Sequence, residues 1–344
     1  MTHYKVLAKD KGLSHILAWA ITLPFQHGFS PTRWRTAIQF MLEKEPGNLL
    51  ITKLRVIQLL EADMNFAFCL LCGKRLVHHA LAQNALSPLN FGGRPGCRVH
   101  SALLLKTLSF DYIRYTRLNA IIFNNNAKAC FDRIIPSIGL MATEQLGMPS
   151  TASACMLATI QGMKFFIRTA HGVSPGYFTS TLSALTLGVL QGSGAVPCIW
   201  LSINCVLLHA LSSHTTGFQA TCPCYSKTSK CPGEAFLDDA DLWLTSTSSS
   251  ASGTLITSMQ KVAQLWESLH CRWWGPGHPK MLLLLGSLVL GPQRLPSAQF
   301  QHHPLRSPTR NDLRQVNIHP YYSMSQKQHW EAHTGSVFIS RWIV

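Results

Sequence analysis

Two adjacent aspartates, Asp238 and Asp239, close the short apolar run that starts at Glu234 and reads as a strand. Neighbouring carboxylates repel unless something cationic holds them, and a divalent metal is the usual solution. An Asp-Asp pair alone is common on protein surfaces. The apolar lead-in Ala235-Phe236-Leu237 separates this pair from that background, because it sets both carboxylates at the end of an apolar strand.

The rest of the chain supplies elements for such a strand to pack on. Gly12 to Leu23 and Arg33 to Glu43 carry helix-like apolar spacing, the second ending before Pro46 and Gly47. Leu54 to Leu60 reads as a strand and Asn65 to Ala82 as a helix, followed by a loop imposed by Gly92, Gly93, Pro95 and Gly96. His100 to Tyr115 is helical in period, Ala120 to Phe123 strand-like, and Ser150 to Phe166 helical again. Thr216 to Gly233 is polar and Cys-rich and reads as a loop. Thr245 to Gly253 is a Ser/Thr tract with linker character, and Leu255 to His270 returns to helical period. Irregular alternation of strands and helices predicts an α+β fold.

Composition narrows the partners. The 344 residues suffice for a sizeable core. Lys and Arg number 30 against 15 Asp and Glu, a net charge of +15 that suits a polyanion or an anionic membrane face. Mean hydropathy is +0.11, so a membrane span has to be considered; Leu182 to Leu211 is the best candidate. Gly, Ser, Gln191 and Pro197 interrupt it repeatedly, and no span is expected there. The eleven cysteines are irregularly spaced and the N-terminus lacks the plan of a secretory signal, which predicts reduced thiols in an intracellular protein, nucleus or cytoplasm unresolved. Cys69-x-x-Cys72 and Cys222-x-Cys224 with Cys231 lack matching second halves for a zinc site; buried thiols and loop cysteines are expected instead. His78-His79 and His302-His303 have no carboxylate or Cys at ligand spacing.

Three boxes give the chain a family likeness. Phe236-Leu237-Asp238-Asp239 resembles the aromatic-x-Asp-Asp box of reverse transcriptases. Gly188 to Pro197, with Gln191-Gly192 inside it, resembles their Gln-Gly box, and Asn126 to Arg133 resembles their first palm box, Asp-x-Lys-x-x-Phe-Asp. Upstream, Leu54 to Asn65 is similar to the early strand segment in which a basic residue, here Arg55, approaches the triphosphate. Phe91 to Gly96, with Arg94, is similar to the Gly-Arg-Pro-Gly segment that shapes the template path. Lys164 to Ser174 resembles the hairpin before the Gln-Gly box. Between about residues 30 and 270 the chain thus resembles a non-LTR retrotransposon reverse transcriptase.

The likeness implies a right-hand polymerase: an N-terminal extension over 1–29, fingers over 30–110, a palm over 111–245 with boxes at 126–133, 188–197 and 236–239, and the start of a thumb or connection over 246–271. It implies RNA-directed DNA synthesis by two-metal nucleotidyl transfer, with two Mg²⁺ ions as cofactors. Asp238 and Asp239 would be the metal ligands, and Arg55, Arg94, Gln191 and Gly192 would lie near nucleotide and template. Gln191 is expected on a helix facing the cleft, and Asn126 beside Asp238 on adjacent strands. Partners are an RNA template, a DNA primer and deoxynucleoside triphosphates, with no membrane. Neither an endonuclease nor an RNase H domain is visible, as in a piece of a longer reading frame.

One position departs from the pattern. The first palm Asp is replaced by Asn126, and an amide offers one neutral oxygen where the family has an anion, so it ligates Mg²⁺ weakly. Asp132 matches the box's second, structural Asp and is not expected to substitute. After Cys271 the family's Gly-Gly-Ala-Leu-x-x-x-Lys-Cys stretch is missing, yet Trp273 to Leu285, read one nucleotide out of register, permits it. A frameshift near 268–272 is inferred, with 272–344 an out-of-frame, disordered tail and the thumb truncated or scrambled. Two alternatives stay open: a catalytically dead module that still holds RNA or an RNA–DNA hybrid, and a pseudogene product that does not fold stably.

Overall fold

The computed structural model describes residues 5–6, 9–48, 50, 53–126, 130–181, 183–222, 224, 226–246, 252–271, 287–290 and 339–340. Helix α1 (Lys11–His27) starts where the Asp10 carboxylate accepts from the Gly12 and Leu13 amides, and ends at Gly28 in the left-handed conformation. Strands β1 (Thr36–Glu43) and β2 (Leu54–Leu60) follow. Then come α2 (Ala62–Phe68), a π-helical segment (Cys69–Leu76) and α3 (Val77–Ala82), which continue one another. Helix α4 (Val99–Thr116) leads to β3 (Asn119–Asn126). Three helices come next, α5 (Cys130–Arg133), α6 (Pro136–Glu144) and α7 (Ser150–Gln161). The hairpin of β4 (Lys164–Thr169) and β5 (Gly172–Val173) precedes the long helix α8 (Val196–His214). Strands β6 (Phe218–Thr221), β7 (Thr228–Cys231), β8 (Gly233–Phe236) and β9 (Asp239–Ser246) lead into α9 (Ser252–Cys271). Two short strands, β10 (Ser287–Leu290) and β11 (Ile339–Ser340), complete the described elements.

The strands form two main sheets. The first has the order β2-β1-β4-β5, with β1 antiparallel to β2 and parallel to β4. The second has the order β11-β10-β3-β9-β8, in which β10, β3, β9 and β8 are mutually antiparallel neighbours. Strands β3 and β8 flank β9, and helices connect them; β9 and β10 flank β3, and α9 lies in the chain between them. Each is a split β-α-β unit. The fold is α+β.

The second sheet buries both faces. Ile121, Phe123, Ala240, Leu242 and Leu244 point into the main core with α8 and α9. Ile122 and Trp243 point the other way, onto Ile113 of α4 and Phe218 of β6. Helix α8 alone among the described residues is long and apolar enough to cross a membrane, and 67% of its apolar window is buried inside the protein.

Four expectations are corrected. Arg33 to Glu43 is strand over Thr36–Glu43, because its apolar residues satisfy a period of two as well as a helical one, and pairing with β2 and β4 decides between them. The helix expected over Ser150 to Phe166 stops at Gly162, and Lys164–Phe166 belong to β4. Thr216 to Gly233 holds the β6–β7 hairpin, with Phe218 opposite Cys231; both are buried, and this anchorage outweighs a polar sequence. In the Ser/Thr tract, Thr245 and Ser246 end β9 while Ser252 and Gly253 begin α9; residues 247–251 lie outside the described residues.

The expectation for the tail also falls mostly outside them. Of residues 272–344 the described ones form two short strands: Ser287–Leu290 pairs antiparallel with β3, Val289 opposite Ile121, and β11 pairs with β10. An open strand edge presents unpaired backbone groups, and Ser-Leu-Val-Leu has the composition to take them.

Candidate metal and nucleotide site

The β8–β9 hairpin turns through Leu237 and Asp238, with Phe236 and Asp239 as its closing pair. Two-residue hairpin loops need positive φ at one or both central residues. Leu237 supplies it with φ 54, a conformation that a side chain with a Cβ holds only where its surroundings enforce it. The Leu237 carbonyl accepts from Asn204 Nδ2 at 3.0 Å and from Trp200 Nε1, both on α8. Its amide nitrogen abuts Gly92, where a Cβ would sit 2.2 Å away. Gly92 follows Phe91, whose amide donates to the Ala235 carbonyl at 2.8 Å. The glycine-rich loop is thus tied to the strand that delivers the aspartates.

Across β9, the register sets Asn126 opposite Asp239, Asn125 opposite Ala240 and Asn124 opposite Asp241. Directly opposed antiparallel residues have Cα atoms about 4.5–5.5 Å apart, so Asn126 lies one residue in register from Asp238. Cys130, at the start of α5, is close enough to sense the pair: burial raises its thiol pKa, and the Asp238 charge raises it further.

The Gln-Gly segment is stitched to both neighbouring regions. Gly188 N donates to Ile134 O at 2.8 Å and Val189 N to Phe131 O at 3.0 Å, and the Phe131 ring meets Trp200 edge-on at 6.0 Å. On its far side, Gln58 N donates to Gln191 O at 2.8 Å. Gly192, with φ 124, passes so near Gln58 O that a Cβ would stand 2.3 Å from it. Asn65 Oδ1 accepts from Gly194 N at 2.8 Å. Gln191 itself lies in the turn ahead of α8, not on a helix as expected, since Pro197 and the glycines delay helix start.

Arg55 is exposed on β2, three residues from Gln58. Arg94 is half-buried, and its Nη1 donates to Ser87 O at 3.1 Å, so it braces its own loop. The outward face of the first sheet carries aromatic rings and cations together. The Arg168 guanidinium lies over Phe40 at 5.8 Å, the Lys164 ammonium over Tyr177 at 4.9 Å, and Phe166 packs on Tyr177 at 5.6 Å. Arg55, opposite Leu42, shares this face.

A polar row lies two residues further along the second sheet. Asp241 pairs with Lys106 Nζ at 2.5 Å and accepts from Asn124 Nδ2. Cross-strand from it, Glu234 is 5% exposed. Burial, and after it the Asp241 charge, pushes Glu234 up to about 8, with Lys106 acting in the opposite sense. Sequence reasoning misses Glu234, Asp241, Lys106, Trp200 and Asn204. The Asp239-x-Asp241 alternation, which sets both side chains on one face of β9, is the signal that finds Asp241.

Among the described residues no group of three or more His, Cys, Asp or Glu could hold a metal ion. The donors that the hairpin offers are the carboxylates of Asp238 and Asp239. That set fits one hard, oxygen-seeking ion, since Mg²⁺ is often held by one or two carboxylates plus substrate phosphates. Comparison with protein-family models finds no match for this chain, and comparison with curated proteins finds none.

Proposed function

We propose that this chain is the fingers and palm of a non-LTR reverse transcriptase whose metal site has lost one carboxylate, so that it grips an RNA template and an RNA–DNA hybrid but does not extend a primer. The observation that carries this reading is the register that sets Asn126 of the first resembling box opposite Asp239 of the third. The first and second boxes, more than fifty residues apart in sequence, are joined by the Val189 N–Phe131 O hydrogen bond, and Trp200, three residues past the second box, packs on Phe131 of the first.

In this reading the first sheet belongs to the fingers, with β4 and β5 joining it from within the stretch 111–245 expected as palm, and the second sheet is the palm. An ion held by Asp238 and Asp239 would supply charge neutralisation at the incoming triphosphate. Arg55 would steer the triphosphate, and the Gln191-Gly192 turn, fixed on β2, would form the floor under the nucleotide. The rings of Phe40, Phe166 and Tyr177 would stack template bases, with Lys164 and Arg168 beside them for phosphates.

The test uses the full chain on a poly(rA)·oligo(dT) hybrid. Salt-sensitive binding without nucleotide incorporation is expected. Failure to bind the hybrid at low salt refutes the nucleic-acid reading, and robust synthesis by the unaltered chain refutes the lost carboxylate.

A further inference from the structure

Helix α8 is apolar along its buried side, from Val196 through Cys198, Ile199, Leu201, Ile203 and Leu207 to Leu211. Two buried groups on it carry polar hydrogens inward: the Trp200 indole and the Asn204 amide, each 2% exposed. A buried donor needs a partner, and these two, one helical turn apart, share one: the carbonyl of Leu237. That carbonyl belongs to the residue with φ 54 immediately before Asp238. The Leu237 amide side is closed by Gly92. The turn is thus pinned on both flanks by groups other than the two carboxylates.

We infer that Trp200 and Asn204 are positioning residues, which fix the Leu237 peptide so that the Asp238 carboxylate is presented to a divalent ion. The inference rests on the proposed metal site and deepens it. Rotating the 237–238 peptide changes ψ of Leu237 and φ of Asp238, and so re-aims the Asp238 carboxylate while φ of Leu237 stays at 54. The two donors oppose that rotation because it would bury a carbonyl without a partner and leave two donors unsatisfied. The arrangement has the logic of outer-shell support for a ligating carboxylate.

The test measures Mn²⁺ binding by electron paramagnetic resonance on the full chain and on its Asn126→Asp variant, each with and without Asn204→Leu. Leucine matches asparagine in size and donates nothing. Asn204→Leu is expected to weaken Mn²⁺ about tenfold, within the 10–100-fold typical of outer-shell losses, while affinity for the poly(rA)·oligo(dT) hybrid and the far-ultraviolet circular dichroism stay unchanged. Trp200→Phe keeps the ring against Phe131 and removes only the N–H; it is expected to weaken Mn²⁺ in the same direction, and it carries the test if Asn204→Leu does not fold. Unchanged Mn²⁺ affinity in a folded variant of either kind overturns the positioning role. A parallel loss of Mn²⁺ and hybrid binding overturns it too, since general loosening then explains both. If Asn126→Asp binds no Mn²⁺, or if Asp238→Ala leaves the Mn²⁺ signal unaltered, the metal site itself is wrong and the positioning role falls with it.

Discussion

Asn126 faces Asp239 across the β3–β9 pairing, and the chain reverses through Leu237 and Asp238 on the other side of that aspartate. Replacing the amide at 126 by a carboxylate therefore adds a negative charge beside two others. Without metal, Asn126→Asp should lower the melting temperature, because like charges at opposed strand positions repel. Mg²⁺ at millimolar levels should restore it, and restore it more than for the unaltered chain. Primer extension on poly(rA), undetectable for the chain as it stands, should appear with poor processivity. A missing carboxylate worth about 4 kcal/mol at the transition state accounts for about a thousandfold in rate. An Asn126→Asp variant that Mg²⁺ leaves at the same melting temperature as its metal-free form argues against the site.

Phe40, Phe166 and Tyr177 make the outward face of the first sheet a stacking surface with Lys164 and Arg168 over two of its rings. Phe166→Ala should weaken single-stranded RNA binding by about 1–3 kcal/mol with little change in salt dependence. Arg168→Ala should weaken it while reducing the salt slope by about one ion. Fluorescence anisotropy with a labelled oligonucleotide across a salt series separates the two, and equal slopes for both variants would count against this face.

Glu234 gives stability a pH dependence whose sign follows from its environment. Its folded pKa is about 8 against an ordinary 4.5, so the fold binds a proton that the unfolded chain releases. Stability from this group is full below about pH 4.5 and declines as pH rises towards 8, by up to about 1.4 kcal/mol per pH unit. Buried His270, lowered to about 4 by its burial, works the other way between about 4 and 6.5. The Glu234 slope is therefore cleanest from pH 6.5 to 8. Glu234→Gln should flatten the melting temperature across that window; a parallel curve for the variant shows that Glu234 is not the source.

Strand β8, helices α4 and α9 and the three boxes are legible in the sequence, because each is a local pattern: an apolar run, a 3.6-residue period, a spacing of named residues. Strand β1 and the β6–β7 hairpin are not. The apolar residues of Thr36–Glu43 suit either period, and only pairing with β2 and β4 selects the strand. Phe218 and Cys231 are thirteen positions apart in a polar stretch, and what joins them is contact with Trp243, a long-range fact. The Lys106–Asp241 pair likewise joins residues from α4 and β9. Side-chain support for the hairpin is hidden for the same reason, since nothing in an apolar helix announces that Trp200 and Asn204 share one carbonyl.

Gly92 packs against the Leu237 amide with no room for a methyl group. Gly92→Ala should displace the turn and destabilise the fold by about 1–3 kcal/mol, in the range of overpacked cores. Gly96, which has open space around it and φ 79, should cost less on the same change, from backbone strain alone. Urea unfolding of the two variants side by side gives the comparison, and an equal cost would show that the close approach at Gly92 is unimportant.

In the second sheet β3 is covered on one side only because Ser287–Leu290 returns to lie on it, with β11 beyond. Those four residues act as a stopper. A chain cut after residue 271 would keep the hairpin and both cores but present β3 as an open template. Two such chains could then zip β3 against β3, edge to edge, in a continuous intermolecular sheet. The same backbone groups that accept a strand in cis would accept one in trans, so shortening this chain at its helical end should convert a folding unit into a seed for association.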